Sequence, residues 1–283
     1  MSRGERGLAI RRILVALDSS RHSLAALEAA AELAAHTEAE LFGLFVEDIN
    51  LLRLARLPFA SQVSATSAAA ESVDPERMER ELRGQAAQAR RALAAVAERA
   101  RVPWSFRVAR GEVVAELIAA AEEVDLITLG KRGLASNGQR LGSTAHAALS
   151  NVRRSLLLSQ HGSPFRPPVL AVYDGSEGSR QALDIGLRLA CTAGHELVVL
   201  LVDGTGAAPA ELQEAVARET GSHGPHVRYQ GSYAANALSL SNALRGEPEG
   251  LLVLSNAGRL SRDEIRKLSQ QVRNSVLVVA GAR

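Results

Sequence analysis

Residues 12–48, RILVALDSSRHSLAALEAAAELAAHTEAELFGLFVED, lie without a gap over residues 168–204, PVLAVYDGSEGSRQALDIGLRLACTAGHELVVLLVDG, at a shift of 156 positions. Asp18 meets Asp174, Ser23 meets Ser179, Leu27 meets Leu183 and Val46 meets Val202. Self-similarity at a fixed period is the mark of one structural unit present twice. A chain of 283 residues has room for two units, each with a core of its own. Between the copies, SQHGSPFRPP carries turn residues and prolines that block helix and sheet ladders. The units are therefore expected at residues 1–160 and 167–283.

Each copy reads as alternating strands and helices. RILVAL is a continuous apolar run of strand length, as in a parallel strand covered on both faces. A helix follows, capped by Ser19 or Ser20, with Leu24, Leu27, Ala31 and Ala34 at helical spacing. AELFGLFVED is the second strand. Asp74 before Pro75 opens a long amphipathic helix, PERMERELRGQAAQARRALAAVAERA. WSFRVARG is a third strand, EVVAELIAAAEEV a helix, DLITLG a fourth strand, STAHAALSNVRR the last helix and SLLL a fifth strand. The alternation predicts an α/β fold with a doubly wound parallel sheet in each unit. Ligands of such sheets sit beyond the carboxyl ends of the strands, where the strand order reverses. With order 3-2-1-4-5, Asp18 and Gly130 end neighbouring strands at that point.

Directly after Gly130 comes GKRGLASNGQRLGSTA, residues 130–145, with four glycines and several hydroxyl and amide side chains. Bare backbone amides followed by a helix start suit a phosphate. Gly130 and Gly133 permit close approach, Gly142, Ser143 and Thr144 open the last helix, and Lys131, Arg132 and Arg140 could neutralise charge. No Walker G-x4-G-K-[ST] occurs. The alternative is a surface connection with Ser143 as an ordinary cap. DGTGAAP at 203–209 is a weaker glycine signal, because Pro209 stands where the dinucleotide fingerprint needs a small residue.

Composition narrows the function. The chain is 46% hydrophobic, 23% charged and only 3% aromatic, with a net charge of +2. IRRI, GKRG and NVRRS are basic, yet they are separated and lack interleaved aromatics, so no nucleic-acid partner is expected. No apolar run reaches the roughly 18 residues of a membrane span, and no leader is visible, so the cytoplasm is the expected location. The single cysteine, Cys191, is expected as a packed thiol in a reducing compartment.

ILVALDSS, SLAALEAAAELA, FVED, VARGEVVAELIAAAEEVDLITLGKRG and LGSTA together resemble the universal stress protein family, here as a tandem of two such domains over nearly the whole chain. The resemblance implies two five-stranded parallel sheets of order 3-2-1-4-5 flanked by helices, a Rossmann-like adenine-nucleotide α-hydrolase-like fold. One branch of the family binds ATP through G-x2-G-x9-G-[ST]. Carried over, its adenine and ribose positions fall on Ala16, Leu17, Asp18 and Val46, and its ribose and phosphate positions on Leu129, Gly130, Gly133, Gly142, Ser143 and Thr144. The family's domains pair through their carboxyl-terminal edge strands, here SLLL and SVLVVAG, either within the chain or as a homodimer.

This chain departs from the motif. Eight residues separate Gly133 from Gly142 where the branch has nine. In the second copy Gly258 meets Gly133 and Val272 meets Val152, with five fewer residues between and no Gly-Ser pair. RLSRDEIRKLSQQ reads there as a short amphipathic helix with Ser261 as cap, and Asp174 as a cap or turn residue.

The expected function is a stress-response regulatory protein with an adenine nucleotide, ATP with or without Mg2+, in the first unit and a structural second unit. Two other readings stand beside it: an interaction module empty in both units, and a slow Mg-dependent ATPase. No catalytic residue and no protein metal site are assigned. Glu47 and Asp48 read as a solvated strand end, His146 as a half-buried or capping residue, and the histidines show no metal spacing. Leu51, Leu52, Leu54 and Leu57, after the second strand, are expected to lid the crevice, form a partner surface, or dock on their own domain.

Overall fold

The computed structural model describes residues 10–18, 20–57, 61–63, 70–72, 74–131, 141–160, 167–203, 209–220 and 226–281. The first unit runs β1 (Arg12–Ala16), α1 (Arg21–Thr37), β2 (Glu40–Asp48), α2 (Ile49–Ala55), β3 (Ser61–Val63), β4 (Ala70–Ser72), α3 (Pro75–Ala100), β5 (Trp104–Gly111), α4 (Val113–Ala121), β6 (Leu126–Gly130), α5 (Ser143–Asn151) and β7 (Ser155–Ser159). The second runs β8 (Val169–Tyr173), α6 (Glu177–Ala193), β9 (Leu197–Val202), α7 (Pro209–Thr220), β10 (Val227–Tyr233), α8 (Ala237–Leu244), β11 (Leu251–Ser255), α9 (Arg262–Gln271) and β12 (Ser275–Val279). The antiparallel pair β3–β4 was not expected from sequence.

Local chemistry accounts for the main helices. Ser20 accepts the Ser23 amide to cap α1, and Ser176 caps α6 through Ser179 in the same way. Asp74 accepts the Glu76 amide before Pro75, and α3 buries Leu82, Ala86, Ala89, Leu93 and Ala97 along one stripe. Cys191 corrects the expectation of a packed thiol, because it is exposed. The buried stripe of α6 runs through Ala182, Leu183, Ile185, Gly186, Leu189 and Ala190, and Cys191 lies one step past it.

The strands form one ten-stranded sheet in the order β10-β9-β8-β11-β12-β7-β6-β1-β2-β5. Each half has the 3-2-1-4-5 order, and all pairs within a half are parallel. The halves meet where β7 and β12 pair antiparallel, Val276 with Leu158, Leu277 with Leu157 and Val278 with Leu156. Ser155 and Ser275 are repeat equivalents, and each closes one end of this seam. The Gln160 amide donates to Ser275 Oγ and the Ala280 amide to Ser155 Oγ, both at 3.1 Å. Such self-complementary pairing is that of a two-fold dimer interface, realised inside one chain. Two apolar layers, one on each face of the sheet, run through both halves.

One contact recurs in both units with its glycine on opposite sides. In the first, a Cβ on Gly130 at the end of β6 would lie 2.8 Å from His22 Cβ and from the His22 carbonyl in the first turn of α1. In the second, the helix carries the glycine, and a Cβ on Gly178 would lie 2.5 Å from Ser255 Oγ at the end of β11. His22 and Gly178 are repeat equivalents, as are Gly130 and Ser255. The helix start sits so close to the strand end that one partner must lack a side chain.

Gly178→Ala is expected to lower stability by about 1–3 kcal/mol, the cost of overpacking exceeding the helix propensity gained. Urea denaturation should show part of that loss restored in the Gly178→Ala/Ser255→Gly double variant. Restoration is incomplete because the Ala257 backbone lies 2.9 Å from the added Cβ.

Candidate functional site

At the carboxyl edge of the first half, the Leu17 amide donates to the Leu44 carbonyl at 2.9 Å, holding the turn after β1 against β2. Asp18 Oδ1 then accepts the Ser20 amide at 3.0 Å and starts α1. Val15 is in register with Thr128 of β6 and Ala16 with Leu44 of β2, so Asp18 and Gly130 end adjacent strands. Ala16 and Val46 are half-buried and pack on the apolar layer that contains Leu129. Ala109, in register with Val46, and Leu141 pack on the same layer. The last two were missed in the sequence. The available signal for Ala109 was its place in WSFRVARG, where alternation along a strand sets it on the face opposite Val108 and Arg110.

The chain returns to this edge at Gly142. Its amide donates to the Lys131 carbonyl at 2.9 Å, so this N–H ties the two ends of the segment 131–142 together. Gly142, Ser143 and Thr144 do open α5, but the cap residue is Gly142, with no side-chain cap bond, and Ser143 is the exposed first helical residue. Among the described residues no side chain caps the leading N–H groups of α5, which stand at the positive end of the helix dipole. Gly130 is required by its contact with His22, independently of any ligand. Gly133, with Arg132 and Arg140, lies outside the described residues. Lys131 is buried, 4% exposed, and its Nζ donates to the Val272 carbonyl of the second unit at 3.1 Å. It does not supply charge at the crevice as expected, because its chain is drawn to the seam.

Other candidates take structural roles. Glu47 is buried rather than solvated, and Arg110 Nε and Nη2 reach its Oε2 at 2.8 and 2.7 Å. The register of β2 with β5 sets these residues opposite each other, which the separate strands do not reveal. Asp48 Oδ1 accepts the Asn50 amide and caps α2. That helix docks through Leu52 and Ala55 and leaves Leu51 and Leu54 exposed, as is Leu57 just beyond it. His146 is exposed. Arg12, of the basic IRRI stretch, lies over the Phe42 ring at 4.4 Å and pairs with Glu40 at 3.4 Å. No group of three or more histidine, cysteine or acidic residues is placed to hold a metal among the described residues. Nor is any described helix long and apolar enough to cross a membrane.

The second unit has the same skeleton with its crevice filled. Asp174 Oδ1 accepts the Ser176 amide at 2.9 Å, as Asp18 does for Ser20, and its Oδ2 takes the Arg259 amide at 2.6 Å. Burial pushes the Asp174 carboxyl up, but hydrogen bonds from Ser176, Arg259 and Ser179 pull harder, and the net shift is below the ordinary carboxylate value. Val172 and Val202, equivalents of Ala16 and Val46, are 5% and 0% exposed. Tyr233 holds the register position of Ala109 and packs on that layer. Helix α9 is capped by Ser261, which accepts the Glu264 amide, and Asp263 and Glu264 fill its first turn. Glu264 Oε2 also takes the Ala237 amide at 2.5 Å. Where α5 starts from a glycine, α9 starts from a serine that accepts one of the helix's leading N–H groups.

Comparison with known proteins places this arrangement. The profile of the universal stress protein family matches residues 9–159. Among solved structures, a universal stress protein from Archaeoglobus fulgidus DSM 4304 is 19% identical, with 98% of each chain covered and a TM-score of 0.69. A functionally unknown protein from Pseudomonas aeruginosa PAO1 is 17% identical over 96% of this chain and 93% of that one, with a TM-score of 0.55. At these identities the likeness is one of fold. No curated protein matches the sequence.

Asp174→Asn should cost about 1–3 kcal/mol at neutral pH, since it removes a buried charged acceptor from two part-buried backbone donors. The folded pKa is depressed, so the stabilisation is present above the unfolded carboxylate value of about 4 and is lost as pH falls through the folded one. The gap between wild type and variant in chemical denaturation should therefore close below about pH 4.

Proposed function

The chain belongs to the universal stress protein family, and we propose that its first unit, residues 1–160, binds ATP or a related adenine nucleotide while the second, residues 167–283, is a structural partner. The observation that carries this reading is the contrast between equivalent crevices. In the first, Ala16, Val46, Ala109 and Leu141 leave a half-exposed apolar floor. In the second, buried valines and Tyr233 occupy the same register positions.

A flat apolar floor suits an adenine ring, whose burial is favourable in proportion to the area removed from water. Ala16, Leu17, Asp18 and Val46 would hold adenine and ribose. Leu129, Gly130, Gly133, Gly142, Ser143 and Thr144 would hold ribose and phosphates. The start of α5, with Gly142 as its cap residue, would supply backbone donors and a positive dipole end for the phosphates. Magnesium would arrive with the phosphates, with Asp18 and the hydroxyls of Ser143 and Thr144 as its protein-side oxygens. Binding without efficient turnover is favoured by the neighbouring carboxylates, since Glu47 is held by Arg110 and Asp48 by the start of α2.

Calorimetric titration of ATP, ADP and cyclic AMP into the wild-type chain should give saturable binding. Ala109→Tyr, which copies the filled crevice of the second unit, and Gly142→Glu, which sets a carboxylate at the helix start, should each weaken it at least tenfold, about 1.4 kcal/mol. A flat wild-type titration at millimolar ATP with magnesium would overturn the reading in favour of an empty interaction module. Phosphate release above an Asp18→Ala control would instead favour the slow ATPase.

A further inference from the structure

Lys131 is the first residue of the segment that leads to α5, and three of its groups are engaged in different directions. Its amide donates to the Ser159 carbonyl of the seam strand β7 at 2.9 Å, and its carbonyl takes the Gly142 amide at 2.9 Å. Its Nζ crosses to the second unit and donates to the carbonyl of Val272, the residue that ends α9. Carbonyls at a helix carboxyl end lack intrahelical partners and form the negative end of the dipole, so they suit an ammonium group.

The other helix at the seam receives the converse contact. Arg262, the first residue of α9, donates from Nη1 to the Ser150 carbonyl in the last turn of α5 at 2.8 Å. The unit that carries the filled crevice thus grips the open one on both sides of its phosphate-facing helix. Lys131 holds the chain that enters at Gly142, and Arg262 holds the far end of α5. A buried lysine loses its hydration, and that loss must be offset by its acceptors. An arrangement of that cost constrains where Gly142 and the start of α5 stand.

We infer that the second unit regulates the nucleotide site of the first, with Lys131 and Arg262 as positioning residues that couple ligand binding at α5 to the packing of α9. The inference rests on the reading that the first unit binds an adenine nucleotide. Coupling of this kind is reciprocal: nucleotide tightens the α9 end of the seam to the degree that the seam tightens nucleotide.

The experiment uses the full chain, with ATP as ligand and two readouts, calorimetric affinity and amide hydrogen exchange in residues 268–272. In the wild type, ATP should slow exchange at the end of α9. Lys131→Met should bind ATP about five- to tenfold more weakly, a coupling within the usual range, and should lose that protection. Arg262→Leu, at an exposed position and less exposed to the risk of misfolding, should show the same two changes in smaller degree. A role confined to stability would lower the melting temperature and leave affinity and ligand-dependent protection unchanged, and that result overturns the inference alone. Absence of wild-type binding overturns the nucleotide reading and this one with it.

Discussion

The antiparallel pairing of β7 with β12 is the contact on which the rest of the molecule depends. Each is the apolar last strand of a five-stranded unit, and left open it would offer a row of unpaired amides and carbonyls. Joining the two edges makes one sheet from two and lets both apolar layers run through the whole chain. Leu157 and Leu277, repeat equivalents, face each other at the centre of this pairing, so the seam has the local symmetry of a dimer. The same geometry sets α5 beside α9 and brings Lys131 to Val272.

Two copies with a shared skeleton have diverged at the carboxyl edge of the sheet, where a doubly wound fold places its ligands. The glycine exchange between Gly130 and Gly178 shows what may not change: the helix start must approach the strand end, and either side can make room. Around that fixed contact, the first unit keeps partly buried Ala16, Val46 and Ala109 and starts α5 from a glycine. In the second, Asp174, Ser261 and Glu264 each accept a backbone amide of the chain itself. A backbone donor satisfied from within the chain adds stability and is withdrawn from any anion, which is the physical ground for proposing a supporting unit beside a binding one.

Most of the fold was legible in the chain. Continuous apolar strands, capped helices with regular stripes and the ungapped repeat all express local rules, and Ser20, Asp74 and Ser261 cap where their spacing indicates. The adjacency of the strand ends at Asp18 and Gly130 was legible in outline. Roles set by register were not. Glu47 looks like a solvated strand end until β5 brings Arg110 beside it. Cys191 sits one residue outside a stripe whose width only packing defines. Lys131, next to glycines, reads as a phosphate ligand, yet its acceptor lies 141 residues further along the chain.

The sequence by itself determined the tandem α/β architecture and the loss of the glycine segment in the second copy, because periodicity and spacing depend only on the order of residues. The tertiary structure alone decided which glycine makes room for a helix, where the buried lysine points, and that an alanine in one unit stands where a tyrosine stands in the other. Those outcomes depend on which strand edges meet and in what register, and residues distant in the chain become neighbours only after that choice is made.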